Sequence, residues 1–271
     1  MEANENQYVM MPMRSNYVQQ VHFDQYAHVH GTHQYDWRTK PSFNSVAKKK
    51  DDDKAKSVKG NGEVTNGERS IQSFSEINIS GVFDVILTQG DKEAVSVETD
   101  SNLQEYILVE NDGSSLILKN KKVKIKKSTK MVVHVTVKDL SKIQSTGVGD
   151  VTCDNTIKSN TLDLVMNNVG DTKLDLDCQT LNVTYKGVGD CILSGKATTS
   201  KIKYAGVGDL KAFDLQVGTM NITHTGVGDA NIHVFQDLTL DFRGVGDVNF
   251  KGNPEKKEIK KAGVGAVKNK S

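Results

Sequence analysis

Gly147-Val148-Gly149-Asp150, Asn168-Val169-Gly170-Asp171, Gly187-Val188-Gly189-Asp190, Gly206-Val207-Gly208-Asp209, Gly226-Val227-Gly228-Asp229, Gly244-Val245-Gly246-Asp247 and Gly263-Val264-Gly265-Ala266 are one phrase written seven times. The aspartates fall 21, 19, 19, 20 and 18 residues apart, and Ala266 follows 19 residues after the last of them. A near-constant period of this size marks stacked units, each too small to bury its own apolar face and completed by its neighbours. The columns around the phrase show what those units are. One and three residues after each aspartate the side chains are small or apolar, as in Val151 and Cys153, Cys191 and Leu193, or Val248 and Phe250. The residue between them varies freely, from Lys173 and Lys211 to Asn231. Seven residues before the aspartate, or before Ala266, stand Ile143, Leu164, Val183, Ile202, Ile222, Leu240 and Ile259, each preceded by a polar residue.

Alternation with a period of two is the mark of a strand with one buried face. Each period therefore reads as strand, Gly-Val-Gly bend, strand, and a variable stretch that takes up the differences in length. Strands recurring in one direction about every 19 residues stack in parallel, about 4.8 Å apart. The predicted fold is all-β: a parallel β-helix, or β-solenoid, with a disordered N-terminal tail. Glycine suits the corners because it takes positive φ without penalty and admits close backbone approach. A helical reading fails, because β-branched residues are dense and no apolar set follows the i, i+3, i+4, i+7 spacing.

The rest of the chain divides accordingly. Residues 1–60 hold the single tryptophan, Trp37, four of the seven histidines, and a charge block from Lys48 to Lys54, and read as tail and linker. Residues 61–271 form the β-helix, with 64–140 supplying its first turns and cap and 141–267 the repeats. Strands are expected at Ala94–Glu98, Tyr106–Glu110, Ser115–Lys119 and Met131–Val137, with a tight turn at Asn111-Asp112-Gly113. The last repeat has lost its acid and runs into Lys268-Asn269-Lys270-Ser271, as a terminal unit should.

The run from Val58 to Gly90 contains Gly60-Asn61-Gly62, Arg69, Phe74, Ile77, Ile79-Ser80-Gly81, Phe83-Asp84-Val85 and Leu87-Thr88-Gln89-Gly90. Followed by the Gly-rich repeats, it resembles the head GIN domain of the auto-transporter adhesin family. That resemblance implies a right-handed parallel β-helix on a cell-surface or exported protein, with adhesion to an external ligand such as a glycan or matrix component. It supplies no catalytic motif.

Composition narrows the function classes. With 25% charged and 36% hydrophobic residues the chain is globular, and a net charge of +1 gives no steer toward nucleic acid. No apolar run approaches the length of a membrane span. Met1 to Ser15 carries Glu2 and Glu5 and no apolar run of seven or more, so it does not read as a signal peptide, which leaves a cytoplasmic location open beside a surface one. The three cysteines, Cys153, Cys178 and Cys191, form no Cys-x-x-Cys pair. Two stand in inward columns and read as small buried hydrophobes; a Cys178–Cys191 disulfide stays open.

Four groups of residues are candidates for chemistry. Asp150, Asp171, Asp190, Asp209, Asp229 and Asp247 form a ladder if they stack one per turn, with neighbours repelling by just under ~1 kcal/mol in water. Calcium would relieve that repulsion and is the one cofactor the column suits; alternatively each aspartate caps a backbone N–H at the bend. Lys119, Lys121, Lys122, Lys124, Lys126, Lys127 and Lys130 form a patch for polyanions, or a lysine-protected edge. A column of large side chains five before the aspartate, including Met166, Tyr185, Tyr204, His224 and Phe242, is a sugar-stacking platform if exposed and ordinary packing if buried; its parity with the apolar column two residues earlier favours packing. In the tail, Tyr8, Tyr17, Tyr26 and Tyr35 recur every nine residues and suggest an intracellular scaffold, while His28, His30 and His33 carry transition-metal chemistry. A polysaccharide-active enzyme is a further alternative, since β-helices host such enzymes. Regularity argues against it, because active sites break the pattern of their scaffold.

Overall fold

A computed structural model describes residues 57–271 of the chain. Nine strands precede the repeats: β1 (Ser57–Lys59), β2 (Val64–Arg69), β3 (Glu76–Ile79), β4 (Asp84–Gln89), β5 (Ala94–Asp100), β6 (Ile107–Asp112), β7 (Ser115–Asn120), β8 (Lys124–Lys127) and β9 (Met131–Val137). The repeats contribute β10 (Lys142–Ser145), β11 (Val151–Cys153), β12 (Ile157–Met166), β13 (Thr172–Tyr185), β14 (Cys191–Tyr204), β15 (Leu210–His224) and β16 (Ala230–Phe242). They end with β17 (Val248–Lys251), β18 (Lys256–Lys261) and β19 (Val267–Asn269). Successive repeat strands pair in parallel, residue on equivalent residue, as in Val183↔Ile202 and Ile202↔Ile222. The fold is the expected parallel β-solenoid.

The inward columns make one continuous core. Ile143, Leu164, Val183, Ile202, Ile222 and Leu240 are all buried, as are Val151, Cys191, Leu210, Ala230 and Val248. Burying a side chain of this kind stabilises by about 1.5–3 kcal/mol, and each one touches its copies above and below, so stability accumulates turn by turn. Two positions depart from the column pattern. Cys153 is half-buried in the first repeat, and Ile259 is 39% exposed in the last, where no further turn covers it. All three cysteines are free. Burial pushes the Cys191 thiol up to about 12, which suits its reading as a buried hydrophobe in an inward column, and the Cys178 thiol, outside those columns, up to about 11.

The variable stretch expected between strands is not a loop. From Thr172 to Phe242 each turn is a single strand of 13–15 residues that runs from the aspartate to the next bend. The differences in repeat length are absorbed by irregularities between Ile192 and Ser194, between Ala212 and Gln216 and between Val217 and Thr219. A bulge lets a strand curve while its ladder continues. Gly195, at φ +97°, makes one such bend where an added Cβ would lie 2.0 Å from the Leu176 carbonyl oxygen.

The first turn is built out of order. β3 and β4 pair with β10 and β11 on one side, and with β7 and β9 on the other. The chain thus lays down β3–β4, steps outward to form β7 and β9, and then crosses back to start the repeats. The outer end is closed by antiparallel strands: β6 on β7, and β5 between β2 and β9. Gly113, at φ +57°, makes the predicted turn between β6 and β7. Changing from parallel to antiparallel pairing ends the stack, because antiparallel strands cannot propagate the coil. Ser57–Lys59, inside the stretch read as linker, pairs in parallel with β8 as β1.

Candidate functional site: the ladders of the Gly-Val-Gly-Asp corner

The repeated phrase forms one corner of the solenoid, stacked from end to end. Its third residue must be glycine for two reasons at once. At Gly189 φ is +132°, and a Cβ there would sit 2.4 Å from the Gly170 carbonyl oxygen of the turn below. Two backbones pass too close at this corner for any side chain between them.

The aspartates do stack, and each spends one carboxylate oxygen on the neighbouring turn. Asp150 Oδ1 accepts the Asp171 N–H at 2.7 Å, Asp171 that of Asp190 at 2.8 Å, and Asp190 that of Asp209 at 2.9 Å. The series continues through Asp209 to Asp229, Asp229 to Asp247, and Asp247 to Ala266. It also begins earlier than the repeats suggest, since Asp84 Oδ1 accepts the Asp150 N–H at 2.9 Å. Each aspartate caps a backbone N–H, as the alternative to calcium expects, but the bond runs to the next turn rather than within its own bend. That geometry joins turns together, and charge-assisted bonds of this kind are about twice as strong as neutral ones. The second oxygen of Asp190 pairs with Lys211, and that of Asp247 with Lys268. Those lysines, with the backbone bonds, hold both carboxyls below the usual carboxylate range. Among the described residues no group of three or more His, Cys, Asp or Glu side chains is gathered as a metal site.

Two residues before each aspartate lies the feature that the sequence columns did not single out. Val82, Val148, Val169, Val188, Val207, Val227, Val245 and Val264 are joined rung to rung by parallel bridges. All are 47–71% exposed. Among the described residues they are eight of the eleven exposed large apolar side chains. The signal was present in the phrase itself, because a valine flanked by glycines has no neighbouring side chain to cover it.

The column of large side chains faces inward. Tyr185 and Tyr204 stack with ring centroids 5.0 Å apart, Tyr204 and His224 follow at 5.2 Å, and Phe242 meets His224 edge-on. All four are fully buried, so the column is packing and not a sugar platform. The tyrosine hydroxyls donate to the Gly189 and Gly208 carbonyls of the following bends, and burial pushes both phenols well up. Neither ring nitrogen of His224 has a hydrogen-bond partner. Burial lowers its pKa, opposed but not cancelled by its own carbonyl, the Gly228 carbonyl and Asp229.

The lysine run is divided between paired and exposed side chains. Lys119 pairs with Glu110, Lys121 with Glu105 and Lys130 with Glu98. Lys124, Lys126 and Lys127 lie on β8, and with Lys122 they are exposed. Lys126 and Lys127 border a cavity of ≈ 230 Å³ lined also by Val82, Val123, Ile125 and Met131. Tyr8, Tyr17, Tyr26 and Tyr35, with His28, His30 and His33, lie outside the described residues. No described helix is long and apolar enough to cross a membrane.

The family model described as a putative auto-transporter adhesin, head GIN domain, matches residues 73–254. This chain belongs to that adhesin head-domain family. A crystal structure of a putative adhesin from Bacteroides fragilis is similar at 30% identity and a TM-score of 0.76, over 78% of this chain and 99% of that one. Putative adhesins from Parabacteroides merdae and Parabacteroides distasonis share the fold, at 22% and 23% identity with TM-scores of 0.60 and 0.59. They cover 80% and 79% of this chain and 100% and 99% of their own. No curated protein matches.

Proposed function

We propose that this head GIN domain is a non-catalytic, exported or cell-surface module that holds an external ligand of glycan or matrix type against the outer columns of a rigid solenoid. The observation that carries the reading is the sameness of its outer corner. Turn after turn repeats the same outer columns in register, and the aspartates' Oδ1 atoms are all bound to backbone, so no rung is set apart from the others. A catalytic centre would interrupt such regularity, whereas a repeated surface suits a ligand that is itself repetitive and is held at many weak points. Family membership supports the same reading.

The test is protease shaving of intact cells that produce the full chain, followed with an antibody to the repeats and a cytosolic protein as control. Loss of the repeat signal with the control intact is the expected result. Protection until lysis would overturn the surface reading and move attention to the tyrosines of residues 1–56.

A further inference from the structure

The valine row is an unpartnered apolar strip on an otherwise polar exterior, and its borders differ. On one side runs the aspartate ladder. On the other, two residues before each valine, stand Thr146, Asn167, Lys186, Ala205, Thr225 and Arg243, all exposed and none acidic. From Val188 to Val264, and at Val148, a glycine stands on each side of the valine, so no neighbouring side chain of the phrase covers it. Soluble monomers rarely leave so much apolar surface in one place unless something docks there.

We propose that this ridge is a self-association surface, on which a second copy of the chain lays its own ridge in a parallel two-fold dimer. Two features select that occupant. The first is pitch. The valines are one strand spacing apart, about 4.8 Å, and the surface with the same repeat over the same length is another turn-by-turn ladder. The second is charge. With the two-fold axis along the solenoid, the acidic border of one copy faces the border of the other that holds no acid; Lys186 and Arg243 stand opposite Asp190 and Asp247, which already pair with Lys211 and Lys268, so the arrangement is selected by the like charges it keeps apart. In the antiparallel alternative aspartate faces aspartate from the Val148 rung to the Val245 rung, and like charges across an interface are strongly disfavoured. The parallel arrangement is isologous, so each valine meets its own copy. It also places both N-terminal caps at the same end. The strip is one side chain wide, which puts the pair among small, concentration-dependent interfaces.

Sedimentation velocity of the full chain from about 1 µM to 1 mM tests the proposal. Concentration-dependent dimerisation is expected, weakened at least tenfold by Val207→Lys, which sets two lysines against each other on the axis, with thermal stability unchanged. Should the lysine variant unfold at lower temperature, Val207→Thr, of equal shape and strand preference, replaces it. Orientation is read by oxidation in a Cys153→Ser background. Val148→Cys cross-links to itself in the parallel pair, whereas in an antiparallel pair it meets Val245→Cys. A chain that stays monomeric throughout, a dimer indifferent to substitution at Val207, or cross-linking only between positions 148 and 245 would each overturn the proposal.

Discussion

His224 stands in the buried stack where Tyr185 and Tyr204 stand in the two preceding turns, but its shorter ring makes no equivalent of their hydroxyl-to-carbonyl bonds. Two buried nitrogens without partners carry a desolvation cost that an apolar ring of similar shape avoids. His224→Phe is therefore expected to raise stability by about 1–2 kcal/mol at neutral pH, while keeping the contact with Phe242. The sign of the pH effect follows from the lowered pKa. Below about pH 6.5 the unfolded histidine takes up a proton that the folded one resists, so native stability falls as pH falls. Melting temperatures from pH 7.5 to 5 should decline for the wild type and decline less for the phenylalanine variant. Parallel declines would show that the imidazole is not held neutral.

Asp100 plays at the cap the part that the corner aspartates play along the rod, and it does so across whole elements. It ends β5 in a fully buried position. One oxygen accepts the Gly62 N–H at 2.6 Å and the Thr129 hydroxyl at 3.0 Å, and the other accepts the Thr129 N–H at 2.7 Å. Gly62 leads into β2 and Thr129 into β9, the two strands that flank β5, so a single carboxylate fixes the approach of both neighbours. Those bonds, the Thr129 N–H foremost, hold its carboxyl below the usual range. Asp100→Asn would turn an NH₂ toward one of the donors, leaving two donors face to face. The variant is expected to melt at lower temperature at pH 7. A depressed carboxyl contributes stability above its unfolded pKa, near 3.9, and loses it as pH falls through the folded value. The gap between variant and wild type should accordingly narrow between pH 5 and 2. A gap that stays constant would mean that Asp100 contributes through its shape and not its charge.

At the scale of the whole molecule, what the sequence made legible is what repeats identically. The column from Ile143 to Leu240 announces its face because six turns agree, and the Asn111-Asp112-Gly113 turn is legible because its chemistry is local. Contacts between turns are harder to read: that Asp171 caps the amide of Asp190, and that Asp84 is the first rung although 66 residues separate it from Asp150, depends on stacking order. The continuous strands were hidden because bulges let repeats of unequal length keep one ladder. If the rod is a sum of turns and their interfaces, one complete turn is dispensable and part of one is not. Deleting residues 190–208 joins Gly189 to Asp209, so that Asp171 caps the amide of Asp209 and Tyr185 stacks on His224, with every column preserved. This shortened chain is expected to fold, to keep its β-sheet circular dichroism and to unfold in one transition, a few degrees lower than the parent. Deleting only residues 190–199 leaves a turn too short to close, and that chain is expected to lose cooperative unfolding. Equal damage from the two deletions would mean that stability is shared globally between the cap and the far end and does not pass from turn to turn.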